Sequence, residues 1–332
     1  MDHYERVLKV AKQETPDRLP VWVSRHNKNG FDEDAKEMAA REVAFQKEYD
    51  WDMSRVSPAA ALMVEGWGCR FEGNNHLGVP KVAGRPVNDP SDWEKIKELD
   101  PCAGRYGEIA KACKILAKEL REEKPNLATG FSPLTLAQKL SGDQLLLDAI
   151  GNYPDMLESV LEVISRTMID FLSHCLDSGA DGLYFATQSA TYNLLTDEEY
   201  NRFEKPYDLK VLNAVRPRLR LSILHLHGDN VMFDHFKDYP IDVLNWADRR
   251  TVPPLPLSEG KERFPGCVMG GINGRATLCT GTVNEVKAEI EDSIKQMAGK
   301  PFILSPCCVI PVVGVPDKNL HAIRRYVEER GV

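Results

Sequence analysis

No two cysteines of this chain stand in a CxxC spacing, which excludes a cysteine-rich structural zinc knot. The eight that exist, Cys69, Cys102, Cys113, Cys175, Cys267, Cys279, Cys307 and Cys308, are scattered through a large protein and read as thiols or ligands, not as a disulfide framework. No apolar run approaches the roughly 18 residues that a bilayer span requires, so a membrane is excluded as a partner. Positive charge is in deficit: 42 Lys and Arg against 50 Asp and Glu give a net charge of −8, and no basic stripe interrupts it. Nucleic-acid affinity draws on counterion release by clustered cations, so DNA and RNA are excluded as well. The opening residues, Met1 to Arg6, are charged and lack the apolar stretch of a signal peptide, which points to the cytoplasm. A glycine-rich phosphate turn is missing after the first expected strand, where Ser24-Arg-His-Asn-Lys28 stands instead. That absence argues against a doubly wound dinucleotide-binding sheet.

What is present is the rhythm of an α/β protein. The 332 residues are 42% hydrophobic and 28% charged, enough for a large core, and a single domain over residues 1–332 is expected. Short apolar strands are expected at Val21–Ser24, Trp51–Ser57, Asn126–Ser132, Asp181–Ala186, from Leu221 into His225 and His227, at Val243–Ala247, Cys267–Ile272 and Phe302–Pro306. Helical periodicity covers Asp34–Tyr49, Ile109–Glu123, Pro154–Asp177 and Leu320–Arg330. Capping boxes are expected at Ser91–Glu94, Ser141–Gln144, Thr196–Glu199 and Thr282–Glu285. Between residues 65 and 87 the glycines at 66, 68, 73, 78 and 84 break the pattern, and this stretch reads as a β-hairpin inserted over the barrel mouth. Strands that alternate with helices must pair in parallel through crossovers, and eight of them close naturally into a (β/α)8 TIM barrel.

Active sites in that fold lie at the carboxyl ends of the strands. The chemically interesting residues fall there: Arg25, Ser57, Ser132, Thr187, His225, His227, Asp248, Asn273, Cys307 and Cys308. In Leu221-Ser-Ile-Leu-His225-Leu-His227, successive side chains alternate, so the two histidines share one face, about 6 to 7 Å apart. The thiols of Cys307 and Cys308 end another strand. Two imidazoles with one or two thiolates form a set that zinc accepts. Either cluster alone is also what an ordinary hydrogen-bonded core contains; the argument rests on both falling on one rim.

With those residues placed, the chain resembles the uroporphyrinogen decarboxylase superfamily, and the resemblance runs nearly end to end. Its markers are Glu5-Arg-Val7 with Asp17-Arg-Leu-Pro20, Gly130-Phe-Ser-Pro133-Leu-Thr-Leu-Ala137, Gly179-Ala-Asp-Gly182, Pro206-Tyr207, His225-Leu-His-Gly228 and Gly271-Ile-Asn273. The resemblance implies a (β/α)8 barrel. It also exposes departures from the decarboxylases proper. Arg25 matches the first of two carboxylate-binding arginines, but Asn29 takes the second place. Ser57-Pro-Ala-Ala60 stands where a pyrrole-binding aspartate is expected, Lys139 where a tyrosine is, Thr187 where a serine is, and Cys308 where a histidine is.

The zinc methyltransferase branch resembles this chain better at the metal. Its His-x-Cys becomes His225-Leu-His227, and its Ser-Pro-Gly-Cys becomes Ser305-Pro-Cys-Cys308. The resemblance thus implies His225, His227 and Cys308 as zinc ligands. It further implies methyl transfer between a corrinoid, free as methylcobalamin or carried on a partner corrinoid protein, and a small substrate activated on the metal, in either direction. Arg25, Asp248 and Asn273 are the expected catalytic residues, Arg25 holding an anionic group and the other two orienting ligands or substrate. Replacing a thiolate by imidazole at 227 removes one negative charge from the complex and weakens the nucleophilicity of a bound thiolate. The alternatives are a metal-free lyase acting on a small carboxylic acid, anchored by Arg25 and Lys139, and a barrel that binds a corrinoid or docks a partner without turnover.

Overall fold

The computed structural model describes residues 1–26, 34–120 and 123–331. Nine strands are formed among the described residues: β1 (Ser54–Arg55), β2 (Arg70–Asn74), β3 (Pro80–Gly84), β4 (Asn126–Phe131), β5 (Gly182–Thr187), β6 (Leu221–Leu226), β7 (Val243–Asn245), β8 (Cys267–Ile272) and β9 (Ile303–Pro306). Seven pair in parallel in the order β1-β4-β5-β6-β7-β8-β9. The gap between β9 and β1 is filled by residues 20–25. Val21 bridges Leu304, Arg25 bridges Ile310, and the Asp52 N–H donates to the Val21 carbonyl at 2.9 Å. The sheet therefore curls into the (β/α)8 TIM barrel that the alternation of strands and helices implies. The expected first strand exists only as these bridges, because its backbone pairs at isolated points and not along a ladder.

Six of the seven barrel strands are buried at every residue along with both residues of β1, which explains their continuous apolar runs: a parallel sheet covered by helices has no wet face. The covering helices show the complementary stripe. On Pro154–Asp177, Leu157, Val160, Leu161, Ile164, Met168, Phe171, Leu172 and Cys175 are buried, one face at three- and four-residue spacing. Each such side chain contributes on the order of 1.5–3 kcal/mol by leaving water. No helix among the described residues is long and apolar enough to cross a membrane.

The capping boxes at Thr196/Glu199 and Thr282/Glu285 form as the spacing predicts, and Asp34/Glu37 adds one that the spacing did not single out. Two others are corrected. The box assigned to Ser91–Glu94 is made two residues earlier, by Asp89 and Asp92, and starts only a 3-10 turn. Ser141 caps nothing: it ends helix Pro133–Ser141, and its hydroxyl donates back to the Ala137 and Gly142 carbonyls. The helix expected from Ile109 begins earlier, at Gly104, and runs to Leu120.

The glycine-punctuated insertion is the antiparallel hairpin β2–β3. At its tip Asn75 Oδ1 accepts from the Leu77 and Val79 N–H groups, and Gly78 takes the positive φ of 75° that the turn requires. The Val312 N–H donates to the His76 carbonyl, which ties this tip to the loop after β9.

Candidate functional site

Parallel register sets the site. Ala186 of β5, His225 of β6, Asn245 of β7 and Met269 of β8 are successive register partners, so they form one row across the barrel. The methyl of Ala186 leaves room beside the His225 ring. Asn245 Nδ2 donates to the Met269 carbonyl at 2.8 Å, and a carbonyl can only accept, so the amide oxygen must face His225. The contact of 2.6 Å between His225 Nδ1 and Asn245 Oδ1 then places the imidazole proton on Nδ1. His225 Nε2 is left with its lone pair, buried and without a hydrogen bond.

Two residues on, β6 has ended, and Gly228 at φ 102° turns the chain away. His227 is anchored by its N–H to the Thr187 carbonyl at 3.0 Å. Its Nδ1 lies 3.8 Å from Cys308 Sγ. One ligand atom from each of His225, His227 and Cys308 falls within 4.8 Å of the others. Burial alone would raise the Cys308 thiol, but the imidazoles of His225 and His227 outweigh it and hold the thiol well below its ordinary value. Cys307 has no such company, and burial pushes it up to about 12. Two imidazoles and one thiolate form a zinc donor set with a fourth position left over, and the buried, unpartnered His225 Nε2 fits that set.

The triad opens on a cavity of about 390 Å³. Hairpin residues Asn75, Leu77, Val79, Pro80 and Val82 wall one side, so the insertion does cover the mouth. Among the described residues, the wall also contains Arg55, Arg85, Lys139 and Arg275, and no carboxylate. Arg55 is buried; its guanidinium donates to the hydroxyls of Ser24 at 2.8 Å and Ser57 at 2.6 Å and lies 3.9 Å over the Tyr184 ring. Its Nε has no partner, and neither has that of Arg275, whose Nη2 reaches Cys308 Sγ at 4.0 Å. Burial lowers Lys139. His26 donates from Nδ1 to the Ser57 carbonyl at 2.8 Å, and burial brings it down to about 4, so it stands neutral. Wider hollows of about 520 and 660 Å³ share none of these residues.

The three residues expected to be catalytic lie outside this wall. Arg25 turns outward, its guanidinium 4.1 Å over the Phe45 ring. Asp248 is buried behind the strand ends, where it accepts from the Gly271 N–H at 3.1 Å and burial raises it to about 7. Asn273 caps a turn, its Oδ1 accepting from the Arg275 and Ala276 N–H groups, and so helps to aim Arg275. Asn27, Lys28 and Asn29 lie outside the described residues. Sequence reasoning missed Arg55, Tyr184, Asn245 and Arg275. The first three sit within strands; parity along a strand was the one signal that could have found them.

Comparison with known proteins agrees with the fold. The profile of the uroporphyrinogen decarboxylase (URO-D) family matches residues 2–330. Among curated proteins, the chain is similar to the methylcobamide:CoM methyltransferase MtbA of Methanosarcina mazei, 24% identical over 95% of this chain and 94% of that protein. It is also similar to the uroporphyrinogen decarboxylase of Prochlorococcus marinus (strain NATL1A), 24% identical over 94% and 93%. Among solved structures, a methyltransferase from Methanosarcina mazei superposes with a TM-score of 0.85 at 21% identity and covers 100% of both chains. A B12-independent methionine synthase from Shewanella superposes at 0.59 with 13% identity, over 94% and 95%.

Proposed function

The chain belongs to the uroporphyrinogen decarboxylase (URO-D) family, and from that premise we propose that it is a zinc-dependent methyltransferase, moving a methyl group between a corrinoid and a small anionic substrate. The observation that carries the reading is the meeting of His225, His227 and Cys308 at the cavity floor. The similarity to MtbA, named as a methylcobamide:CoM methyltransferase, supports the corrinoid as methyl carrier. Zinc held by these three residues would supply a Lewis acid that lowers the pKa of a substrate thiol or oxygen and so yields a nucleophile at neutral pH.

The remaining work falls to the chain's own groups. Asn245 Oδ1 accepts from His225 Nδ1 and fixes the ring, leaving Nε2 as its ligand atom. Arg275 offers a positive charge beside the Cys308 sulfur. In a chain of net charge −8, a wall whose described residues include four cations and no carboxylate selects an anionic substrate. Arg55 and Arg275 each keep an Nε–H to give to it. The hairpin shields the cavity from bulk water, which strengthens these charge interactions.

A metal-free lyase acting on a small carboxylic acid is the second reading, favoured by Lys139 and Arg55 in the wall. The deciding experiment mixes zinc-loaded protein with methylcobalamin and a panel of anionic thiols, and separately with cob(I)alamin and methyl ethers or methylated amines. The two corrinoid states differ in visible absorption. Interconversion that vanishes in Cys308→Ala and on chelation is expected. No change with any acceptor or donor, in protein that holds zinc, would move the account to the lyase.

A further inference from the structure

One side chain of the cavity belongs neither to the metal cluster nor to the positive wall. His26 follows the stretch that fills the gap between β9 and β1, and its half-buried ring borders the same cavity as His225, His227 and Cys308. Its Nδ1 lies 2.8 Å from the Ser57 carbonyl oxygen. A carbonyl only accepts, so the contact puts a proton on Nδ1. Burial, with the charge of Arg55 acting in the same sense, keeps the imidazole neutral, and a neutral ring protonated on Nδ1 carries a lone pair on Nε2. That Nε2 makes no hydrogen bond among the described residues, yet it is not sealed in as His225 Nε2 is. Of the hollows that the ring borders, one of about 10 Å³ has room for a single water at most. The other is the cavity of about 390 Å³.

The cavity is lopsided in what it offers a ligand. Its four cations can only donate. Asn75 Oδ1 is taken by two N–H groups of the hairpin turn, and the Gln188 amide can turn either end to a ligand. The hydroxyls of Thr129 and Tyr184 already donate, to the Val56 carbonyl and to Asn245 Oδ1. His26 Nε2 is the open position that has a lone pair and no proton. An anion made only of acceptors would satisfy the cations but set its own lone pairs against that nitrogen, leaving it unmet. A cationic donor on the ligand would instead meet the positive charge of the wall. The group that suits Nε2 is a neutral donor.

Taking the cavity as the substrate site proposed above, we infer that His26 sets specificity: the substrate is an anion that also carries a neutral hydroxyl or amide N–H, and that group donates to His26 Nε2.

The test uses the full chain as purified, with zinc added, and ligand pairs that differ by one hydroxyl. The pairs are 3-mercaptolactate against 3-mercaptopropionate and, for binding without a thiol, malate against succinate. Calorimetric titration should find the hydroxylated member of a pair bound roughly 2- to 12-fold tighter, the worth of one neutral hydrogen bond. The preference should vanish in His26→Phe and return in His26→Gln, whose amide oxygen can accept. Nitrogen-15 spectra of histidine-labelled protein read the contact directly. The ring whose signals are lost in both variants should have Nδ1 protonated and Nε2 bare in the free protein, and its Nε2 signal should move with the hydroxylated ligand and not with its partner. No preference in either pair, a proton on Nε2, an Nε2 signal that answers both members alike, or a preference that His26→Phe keeps would overturn the assignment. Should His26→Phe fail to fold, His26→Gln identifies the signal and the wild-type spectra decide. Binding is read in place of methyl transfer, so a chain without corrinoid activity can still show the preference, and an active one can lack it.

Discussion

Asp52 and Arg55 are three residues apart, Asp52 just before β1 and Arg55 at its end; both are buried, and they are treated in opposite ways. Asp52 is saturated: His3, Arg6, Arg18, Arg324 and the Val21 N–H all donate to its two oxygens, at 2.7 to 3.2 Å. Arg55 meets two hydroxyls and an aromatic face, and keeps an Nε–H with no partner. Neither Arg55 nor Asp52 could be exchanged for the other's solution. A closed charge cluster locks the amino-terminal end of the barrel, where chain ends must be held together. An incomplete one at the carboxyl end is a site waiting for a ligand of opposite sign. Buried charge is expensive in both places, and under the proposed function the incompletely bonded one receives the substrate.

The largest expected effect is at the saturated end. Asp52→Asn removes the buried carboxylate that Arg6, Arg18 and Arg324 share and should cost about 3–5 kcal/mol of stability. Calorimetry should find Tm lower by on the order of 10 °C, with zinc content per folded chain unchanged; a Tm within 2 °C of wild type would break the comparison. The pH dependence follows from the same residue. Burial alone would raise the Asp52 carboxyl, but its hydrogen bonds and ion pairs hold it well below the usual range. Its unfolded value is about 3.9, so its stabilisation is complete above that pH and is lost as pH falls toward the folded value. Acid unfolding curves of wild type and Asp52→Asn should therefore converge below about pH 4.

Next comes the open end. Arg55→Met should leave unfolding free energy within about 1 kcal/mol of wild type, because no ion pair among the described residues is broken, yet raise KM for an anionic substrate by about 10- to 150-fold, the worth of one charged hydrogen bond. An unchanged KM would remove Arg55 from the substrate. Asn245→Leu releases the His225 tautomer and should weaken metal affinity about 10- to 100-fold, read by competition with a chromophoric chelator. The smallest effect is that of Arg25→Ala, a loss of about 0.5–1 kcal/mol from its packing on Phe45, with KM untouched. A large rise in KM there would restore Arg25 to the site.

The sequence made the barrel legible because parallel strands buried on both faces leave unbroken apolar runs, and the hairpin legible because its glycines interrupt them. The candidate cluster was readable for a similar reason: His225, His227 and Cys308 sit at or just beyond strand ends, where chemistry concentrates in this fold. What stayed hidden depends on distances that strands alone do not encode. Arg55 looked like one charged residue inside a weak strand, and only the closed barrel puts it over Tyr184. Asp248 and Asn273 were assigned to the rim by position, but β7 ends at Asn245, and the chain beyond it turns Asp248 back onto Gly271. Asn273 is drawn to the N–H groups of the next turn, the usual occupation of an asparagine after a strand.

The central claim is that His225, His227 and Cys308 are one metal site, and elemental analysis tests it most directly. Wild-type protein, purified without chelator, should carry close to one zinc per chain. His227→Ala and Cys308→Ala should each carry little, while Cys307→Ala keeps its zinc. Full zinc in both the His227 and Cys308 variants, or its loss in Cys307→Ala alone, would contradict the account.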